Sequence, residues 1–247
     1  MLLRDDAIVL AGATGRVGGA TLRELAAQGA RLLVLSRERE HAQRAIEENV
    51  PSEQRARCLT HAADLGDPAA AQAAVDAAVQ HFGRIDAAVT LSGRGHFVPL
   101  TESSLDDLQQ NLNGNLIANF NLLLPALRAM LKQPLPSGSL SRGRLVAVSA
   151  GSSKNPQPQF GLFGASKAAL NVLMQAIARE HKADGIVANA VVLGTVATDA
   201  AKSYLSEEDF AAASQPEEVA AVLAFLASRT ATGVNGALVD VNAREVD

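Results

Sequence analysis

Ala7-Ile8-Val9-Leu10-Ala11-Gly12-Ala13-Thr14-Gly15-Arg16-Val17-Gly18 is the stretch on which the fold turns. Its first five residues are a continuous apolar run, the pattern of a strand buried on both faces. Gly12, Gly15 and Gly18 then break the run at regular spacing, and helical periodicity takes over across residues 17–28. In such a unit the glycines let backbone N–H groups approach a pyrophosphate, whose charge the helix N-terminus favours. Taken alone, it is equally well an ordinary strand-to-helix turn.

Working outward, the alternation repeats. Residues 31–36 read as a second strand, 38–49 as a polar helix and 57–61 as a third strand. Residues 68–81 form an alanine-dense helix, with Asp67 at the cap position and Pro68 in the first turn. Strands at 86–91 and 144–149 are separated by helical stretches at 105–113 and 116–131. A long helix at 163–182 leads to a strand at 186–192, and a last helix at 216–227 precedes a strand at 237–241. With no long polar linker and no break in composition, this predicts one α/β domain over residues 1–247. Its core is a doubly wound, seven-stranded parallel sheet with helices on both faces. Residues 132–142, rich in proline, glycine and serine, read as a surface loop. Residues 194–214 read as a second irregular region, beyond a strand C-terminus, where sheets of this kind bind ligands.

Composition narrows the function by exclusion. With 48% hydrophobic and 19% charged residues in a chain of 247, a sizeable core can form and the disordered class is ruled out. A formal charge of −4 argues against a general nucleic-acid binder. Aromatic residues are only 3%, with no Trp and a single Tyr, Tyr204, which leaves the core to Ala, Val and Leu. One cysteine, Cys58, excludes an internal disulfide. His41, His61, His81, His96 and His181 match no zinc spacing, so no metal site is expected. Residues 1–6 lack the features of a signal peptide, and no run approaches the roughly 20 apolar residues that span a bilayer. The expectation is a cytoplasmic protein without membrane or nucleic-acid partners.

Downstream segments give the glycine turn its meaning. Asp64-Leu65 follows the third strand, and Asp86, Val89 and Gly93 frame the fourth. Pro99-Leu100-Thr101-Glu102 precedes Asn115 and Phe120, Gly143-Arg144-Leu145-Val146 opens the fifth strand, and Asn189-Ala190, Gly194 and Thr198 follow. In this order and spacing, from about residue 6 to residue 242, the chain resembles the short-chain dehydrogenase/reductase family. The resemblance implies a Rossmann fold and an NAD(P) cofactor. It assigns Gly12, Thr14, Gly15, Arg16, Val17 and Gly18 to the pyrophosphate turn and Asp64 with Leu65 to the adenine end. Ser92, Gly93, Lys167, Gly194, Val196 and Thr198 then fall to the rest of the cofactor, with Thr198 at the nicotinamide amide. Some positions depart from the family pattern. Arg16 stands where the middle glycine usually falls, Thr90 and Leu91 replace two asparagines, and Leu193 replaces a proline.

The end of the second strand bears on cofactor choice. Relatives that prefer NAD place an acidic residue there to accept hydrogen bonds from ribose hydroxyls, whereas this chain has Ser36 followed by Arg37 and Arg39. Arg37 and Arg16 could grip a ribose 2′-phosphate bidentately, which favours NADP(H) over NAD(H). Alternatively, Arg37 and Arg39 decorate a charged helix start together with Glu38 and Glu40.

The catalytic segment departs furthest. The family signature Tyr-x-x-x-Lys is here Phe163-Gly164-Ala165-Ser166-Lys167, and the serine position thirteen residues earlier is Ala150. Of the family tetrad only Asn115 and Lys167 stand. Enoyl reductases of the same superfamily place the tyrosine seven residues before the lysine, which here is Phe160. In the resembled mechanism tyrosine protonates the oxygen as hydride reaches the carbon, lysine lowers the tyrosine pKa and holds ribose, and serine positions the oxygen. Losing a general acid removes about 10² to 10⁴ in rate. Candidate substitutes are Ser152, returned by strand alternation to the side of Ala150, His96 in the loop after the fourth strand, and Tyr204.

Three readings follow: an NADP-dependent reductase whose proton comes from elsewhere, a non-catalytic NADP(H) sensor or partner modulator, and a scaffold that has lost the cofactor. The retained cofactor set speaks against the scaffold. The resemblance also implies a homodimer or homotetramer, through residues 116–131 and 163–182, with 216–241 joining dimers.

Overall fold

In the computed structural model seven strands form one parallel sheet: β1 Ala7–Ala11, β2 Arg31–Ser36, β3 Cys58–Ala62, β4 Ala87–Thr90, β5 Gly143–Ala150, β6 Ile186–Leu193 and β7 Leu238–Val241. The structure describes residues 1–199, 201–203 and 206–242. The helices are α1 Arg16–Ala27, α2 Arg39–Asn49, α3 Pro68–Phe82, α4 Leu105–Leu112, α5 Ala118–Lys132, α6 Gly161–Glu180, α7 Glu207–Ala212 and α8 Pro216–Ala227.

The strands are apolar throughout because both faces are covered. Val9, Ala11, Leu33 and Leu35 point to one side, against Ala71, Ala74 and Val75 of α3, Leu122 and Leu123 of α5, and Leu170 and Met174 of α6. Ile8, Leu10, Leu32 and Val34 alternate to the other side, against Leu22 and Leu25 of α1, Ile46 of α2 and Leu223 of α8. Each fully buried leucine or valine here contributes about 1.5–3 kcal/mol.

The sheet order is β3-β2-β1-β4-β5-β6-β7. The chain runs outward from β1 to β3, then returns to add β4 on the free side of β1, so Val9 faces both Leu33 and Ala88. Strand order thus reverses between β1 and β4, and their C-terminal ends leave the crevice in which such sheets take ligands.

Most expected elements lie within two residues of their observed bounds. Asp67 caps α3 by accepting from the Ala69 N–H at 2.9 Å, and Gly83 ends the helix in the left-handed region at φ 79°. Two expectations need correction. The helical stretches at 105–113 and 116–131 are not separate: α4 continues through a π turn, Asn113–Ile117, straight into α5. Asn113, Gly114 and Asn115 have low helix propensity and read as a break, whereas the wider turn is held by tertiary hydrogen bonds of Asn115. The region 194–214 is not irregular throughout, since α7 forms within it, capped by Ser206 accepting from the Asp209 N–H at 3.0 Å. The loop at 132–142 is tied down by Gln133, which donates to Ile85 O at 2.6 Å and Arg142 O at 3.0 Å.

Candidate functional site

The glycine turn joins β1 to α1 at the mouth of the crevice. Gly12 sits at φ 88°, and a Cβ there would come within 2.9 Å of the Leu91 carbonyl carbon. At Gly18 a Cβ would lie 1.9 Å from Gly12 O, so the helix packs directly on the turn. Gly15 differs, having an ordinary φ of −85° and no atom within 4 Å of where a Cβ would stand. It is the N-cap of α1, supplies no side-chain cap, and no acidic residue lies in the first turn. The first N–H groups of α1 therefore face open space with the positive end of the helix dipole behind them.

Thr14, Gly15 and Arg16 line a cavity of about 570 Å³ that also contacts His41 and Arg44 of α2. Arg16, Arg37 and Arg44 are exposed and have no hydrogen bond or ion pair among the described residues. Arg37 does not line this cavity, and the half-buried Ser36 ends β2 beside it. After β3, Asp64 turns its carboxylate onto its own loop, accepting from the Gly66 N–H at 2.9 Å. Asn121 of α5 fixes the same turn by donating to Leu65 O at 2.8 Å.

Lys167, Asn115, Ser92 and Gly93 come together at the C-terminal ends of β4 and β5. Lys167 is 4% exposed, and its Nζ donates to Val148 O at 2.9 Å and Ser92 O at 3.5 Å. Burial pushes this amine down to about 8, with no carboxylate beside it to hold the charge. A Cβ at Gly93 would lie 2.6 Å from Asn115 Oδ1 and 2.7 Å from Lys167 Nζ, so only glycine passes between them. Asn115 clamps the next residue in both directions, accepting from the Arg94 N–H at 3.0 Å and donating to Arg94 O at 3.1 Å. Asn119, one turn on, donates to Ser92 O at 3.0 Å and accepts from Thr90 Oγ1 at 2.6 Å. The loop after β4 is thus fixed by two asparagines projected from the π turn and α5.

Phe163 opens α6 and meets Phe97 edge-on at 5.4 Å between ring centroids. Phe97 stacks on Phe160 at 4.2 Å, and Phe160 lies 6.4 Å from Phe163, so three of the seven phenylalanines form one cluster. Ala150 ends β5, and the chain then turns at Gly151–Ser153, so Ser152 is placed by a helical turn rather than by strand alternation. Its Oγ is buried without a partner among the described residues. Ser149 faces α6, with its Oγ 3.4 Å from Lys167 O. His96 Nε2 lies 2.5 Å from Asp107 Oδ1. Beyond β6, the Gly194 N–H donates to Val241 O, Val196 bridges to Ser214, and Thr198 Oγ1 accepts from the Ala201 N–H at 3.2 Å. Tyr204 lies outside the described residues. Among the described residues no His, Cys, Asp and Glu cluster suits a metal ion, and no helix is long and apolar enough to cross a membrane.

Residues 6–209 match the family model for short chain dehydrogenases. The chain belongs to the short-chain dehydrogenase family. Glucose 1-dehydrogenase 2 of Bacillus subtilis is 30% identical over 190 residues, covering 73% of this chain and 71% of that protein. The meso-2,3-butanediol dehydrogenase of Serratia marcescens is 28% identical over 250 residues, with 98% and 95% covered. Among solved structures, a short-chain dehydrogenase of Burkholderia cenocepacia in complex with NADP superposes with a TM-score of 0.84 at 26% identity, covering 99% of both chains. A short-chain type dehydrogenase/reductase from Mycobacterium ulcerans gives a TM-score of 0.88 at 24% identity, covering 100% of this chain and 94% of that one, which speaks to the fold alone. As a short-chain dehydrogenase, the protein is a nucleotide-binding oxidoreductase by family.

Sequence reasoning missed Asn119, Asn121, Asp107 and Phe97. Asn119 could have been found, since it stands four residues after Asn115 on one helical face. Asn121, Asp107 and Phe97 act across loops, where no periodicity carries a signal.

Proposed function

We propose that this short-chain dehydrogenase binds NADP(H) and transfers hydride to or from a carbonyl or alcohol, or an activated alkene, without the proton donor its relatives use. The observation that carries the reading is Phe163, a ring that cannot donate a proton, packed against Phe97 and Phe160 four residues before a buried Lys167.

The cofactor fits what the structure offers. Gly12 and Gly18 are needed to pack the turn, while Gly15 leaves an open floor at uncapped N–H groups, suited to a pyrophosphate. Ser36 presents no carboxylate to a ribose, and Arg16 and Arg37, without a partner among the described residues, suit a 2′-phosphate, hence NADP(H) ahead of NAD(H). Bound, the nicotinamide would supply the hydride. Lys167 would hold the adjoining ribose, and Asn115 would keep the loop after β4 in place through Arg94. With Ala150 and Phe163 where the family has serine and tyrosine, neither hydroxyl is there to meet the developing oxyanion.

Titration with NADPH and NADH, followed by a carbonyl panel run beside an Ala150→Ser/Phe163→Tyr variant, tests this reading. The wild type is expected to bind NADPH more tightly than NADH, and the variant to gain carbonyl reduction by about 10² or more. Absence of NADPH binding in both overturns the cofactor assignment. The same phenyl packing favours a second reading, a non-catalytic NADP(H) sensor, which saturable binding without turnover across the panel would select. We further propose a homo-oligomer. Ile117, Phe120 and Val172 are exposed apolar residues on the π turn, α5 and α6, and light scattering of the intact chain should return at least a dimer mass.

A further inference from the structure

Something must protonate the oxygen if Phe163 cannot, and the loop after β4 carries the group best built for it. We propose that His96, oriented by Asp107, is the proton donor and acceptor for the reacting oxygen. The proposal rests on the reading of this cleft as a hydride-transfer site.

The place of His96 follows from its neighbours. Gly93, three residues before it, threads between Asn115 Oδ1 and Lys167 Nζ, and Phe97, the next residue, packs on Phe160 and Phe163. The backbone at His96 is therefore strung between the two ends of the Phe163-to-Lys167 segment. Its position is doubly pinned, by Asn115 on Arg94 and by Asn111 of α4, which donates to His96 O at 3.1 Å.

Asp107 is an N-terminal residue of α4 and closes a capping box with Ser104. Hydrogen bonds from the Ser104 hydroxyl, from His96 and from the Ser104 N–H hold its carboxyl down at about 2. It is ionised at any working pH and can only accept, so Nε2 carries a proton and donates to Oδ1 at 2.5 Å. That fixes the ring and leaves Nδ1, which has no partner among the described residues, as the exchanging nitrogen on a ring 32% exposed. Of the charged groups on neighbouring elements, Asp107 contacts the ring, Asp106 precedes Asp107 on α4, Arg94 stands two residues before His96 on the loop, and Lys167 of α6 is turned to Gly93 and two backbone carbonyls.

The balance is simple. Each hydride placed on a carbonyl carbon requires one proton on its oxygen. Imidazolium Nδ1–H gives that proton, the alcohol leaves, and the neutral ring recovers a proton from solvent through its exposed edge; oxidation runs the same transfer in reverse. Asp107 and Asn111 are positioning residues, acting through His96.

Two measurements on the intact chain test this. In histidine-ring NMR, with His96→Gln supplying the assignment, His96 resonances should shift on adding NADPH, while those of His181 at the far end of α6 should not. In NADPH-dependent reduction of a panel of α-diketones and ortho-quinones, His96→Gln should lower kcat by about 10² or more at little-changed NADPH affinity. Asp107→Asn should keep KM while lowering kcat. In the Ala150→Ser/Phe163→Tyr background, His96→Gln should cost far less, because a tyrosine again supplies the proton; a purely structural role would cost the same in both. Unmoved His96 signals, unchanged turnover in His96→Gln, or no wild-type turnover of any panel member overturns the proposal. Failure of NADPH to bind overturns the cofactor reading with it, whereas binding with turnover indifferent to His96 overturns the histidine alone.

Discussion

Lys167 is an ammonium held in a place that does not want charge. Among the described residues its only partners are two backbone carbonyls, and burial lowers its pKa from 10.5 to about 8. Below pH 8 the amine is protonated in both folded and unfolded chains, so the fold bears the whole desolvation cost. Between about 8 and 10.5 the folded chain gives up its proton first, and stability rises with pH. Lys167→Met should therefore stabilise at pH 7 by roughly 2 kcal/mol, the pKa difference less one lost hydrogen bond, and weaken NADPH binding. The gain should fade toward pH 10.5, which urea denaturation at pH 7 and pH 10 would show; a variant less stable than wild type at both would contradict it. This position was legible in the sequence because its motif is local, Phe163 to Lys167 on one turn of helix. The His96 and Asp107 contact was not, because it joins a loop to a helix start eleven residues away, with no spacing rule to signal it.

At the scale of the element, α1 shows why the glycine turn was legible and where its roles divide. Spacing alone located Gly12, Gly15 and Gly18, but could not separate those that pack from the one that faces open space. At Gly18, where a Cβ would strike Gly12 O at 1.9 Å, Gly18→Ala should move turn and helix apart and lower the melting temperature by several degrees. Gly15→Ala meets nothing, at an allowed φ, and should change stability little, the lower chain entropy of alanine offsetting its poorer N-cap, while cutting NADPH affinity by tenfold or more, since its methyl occupies the open floor. Calorimetry paired with NADPH titration checks both; equal losses of affinity and stability in the two variants would undo the distinction. The joint between α4 and α5 teaches the opposite lesson. Its asparagines and Gly114 look like a helix end, and only partners in the loop after β4 make them a continuous π turn, so local propensity pointed to the wrong element boundary.

Across the whole molecule, the sheet separates two polar centres. The candidate site lies at the C-terminal strand ends, while a buried ionic cluster ties the opposite ends together. Arg144, at the start of β5 and 1% exposed, donates to Asp6 Oδ2 at 3.0 Å, Ala227 O at 2.8 Å and Ser141 Oγ at 3.0 Å. Arg229 reaches Asp6 Oδ1 at 2.9 Å and Asp86 Oδ1 at 3.4 Å, and Asp86 accepts from the Ala7 N–H at 2.9 Å. The starts of β1, β4 and β5 and the end of α8 are joined in this way. The sequence marked Arg144 as a strand entry, but two of its three partners come from 138 and 83 residues away and could not be read locally. Burial pushes the Asp6 carboxyl up and the Arg144 guanidinium down, so desolvation outweighs the attraction between them, and the pair is a constraint more than a source of stability. Removing one partner strands the other charge, so Arg144→Ala should cost about 3–5 kcal/mol in urea denaturation at pH 7. Asp6→Asn/Arg144→Met, which removes both charges, should recover most of that, because Arg229 is 43% exposed and can turn to water. NADPH affinity should be the same in the wild type and the double variant, since the cluster and the crevice lie at opposite ends of the strands. A double variant as unstable as the single one would show that the cluster acts through its hydrogen bonds rather than its charge balance, and a change in NADPH affinity would show that the two ends of the sheet are coupled.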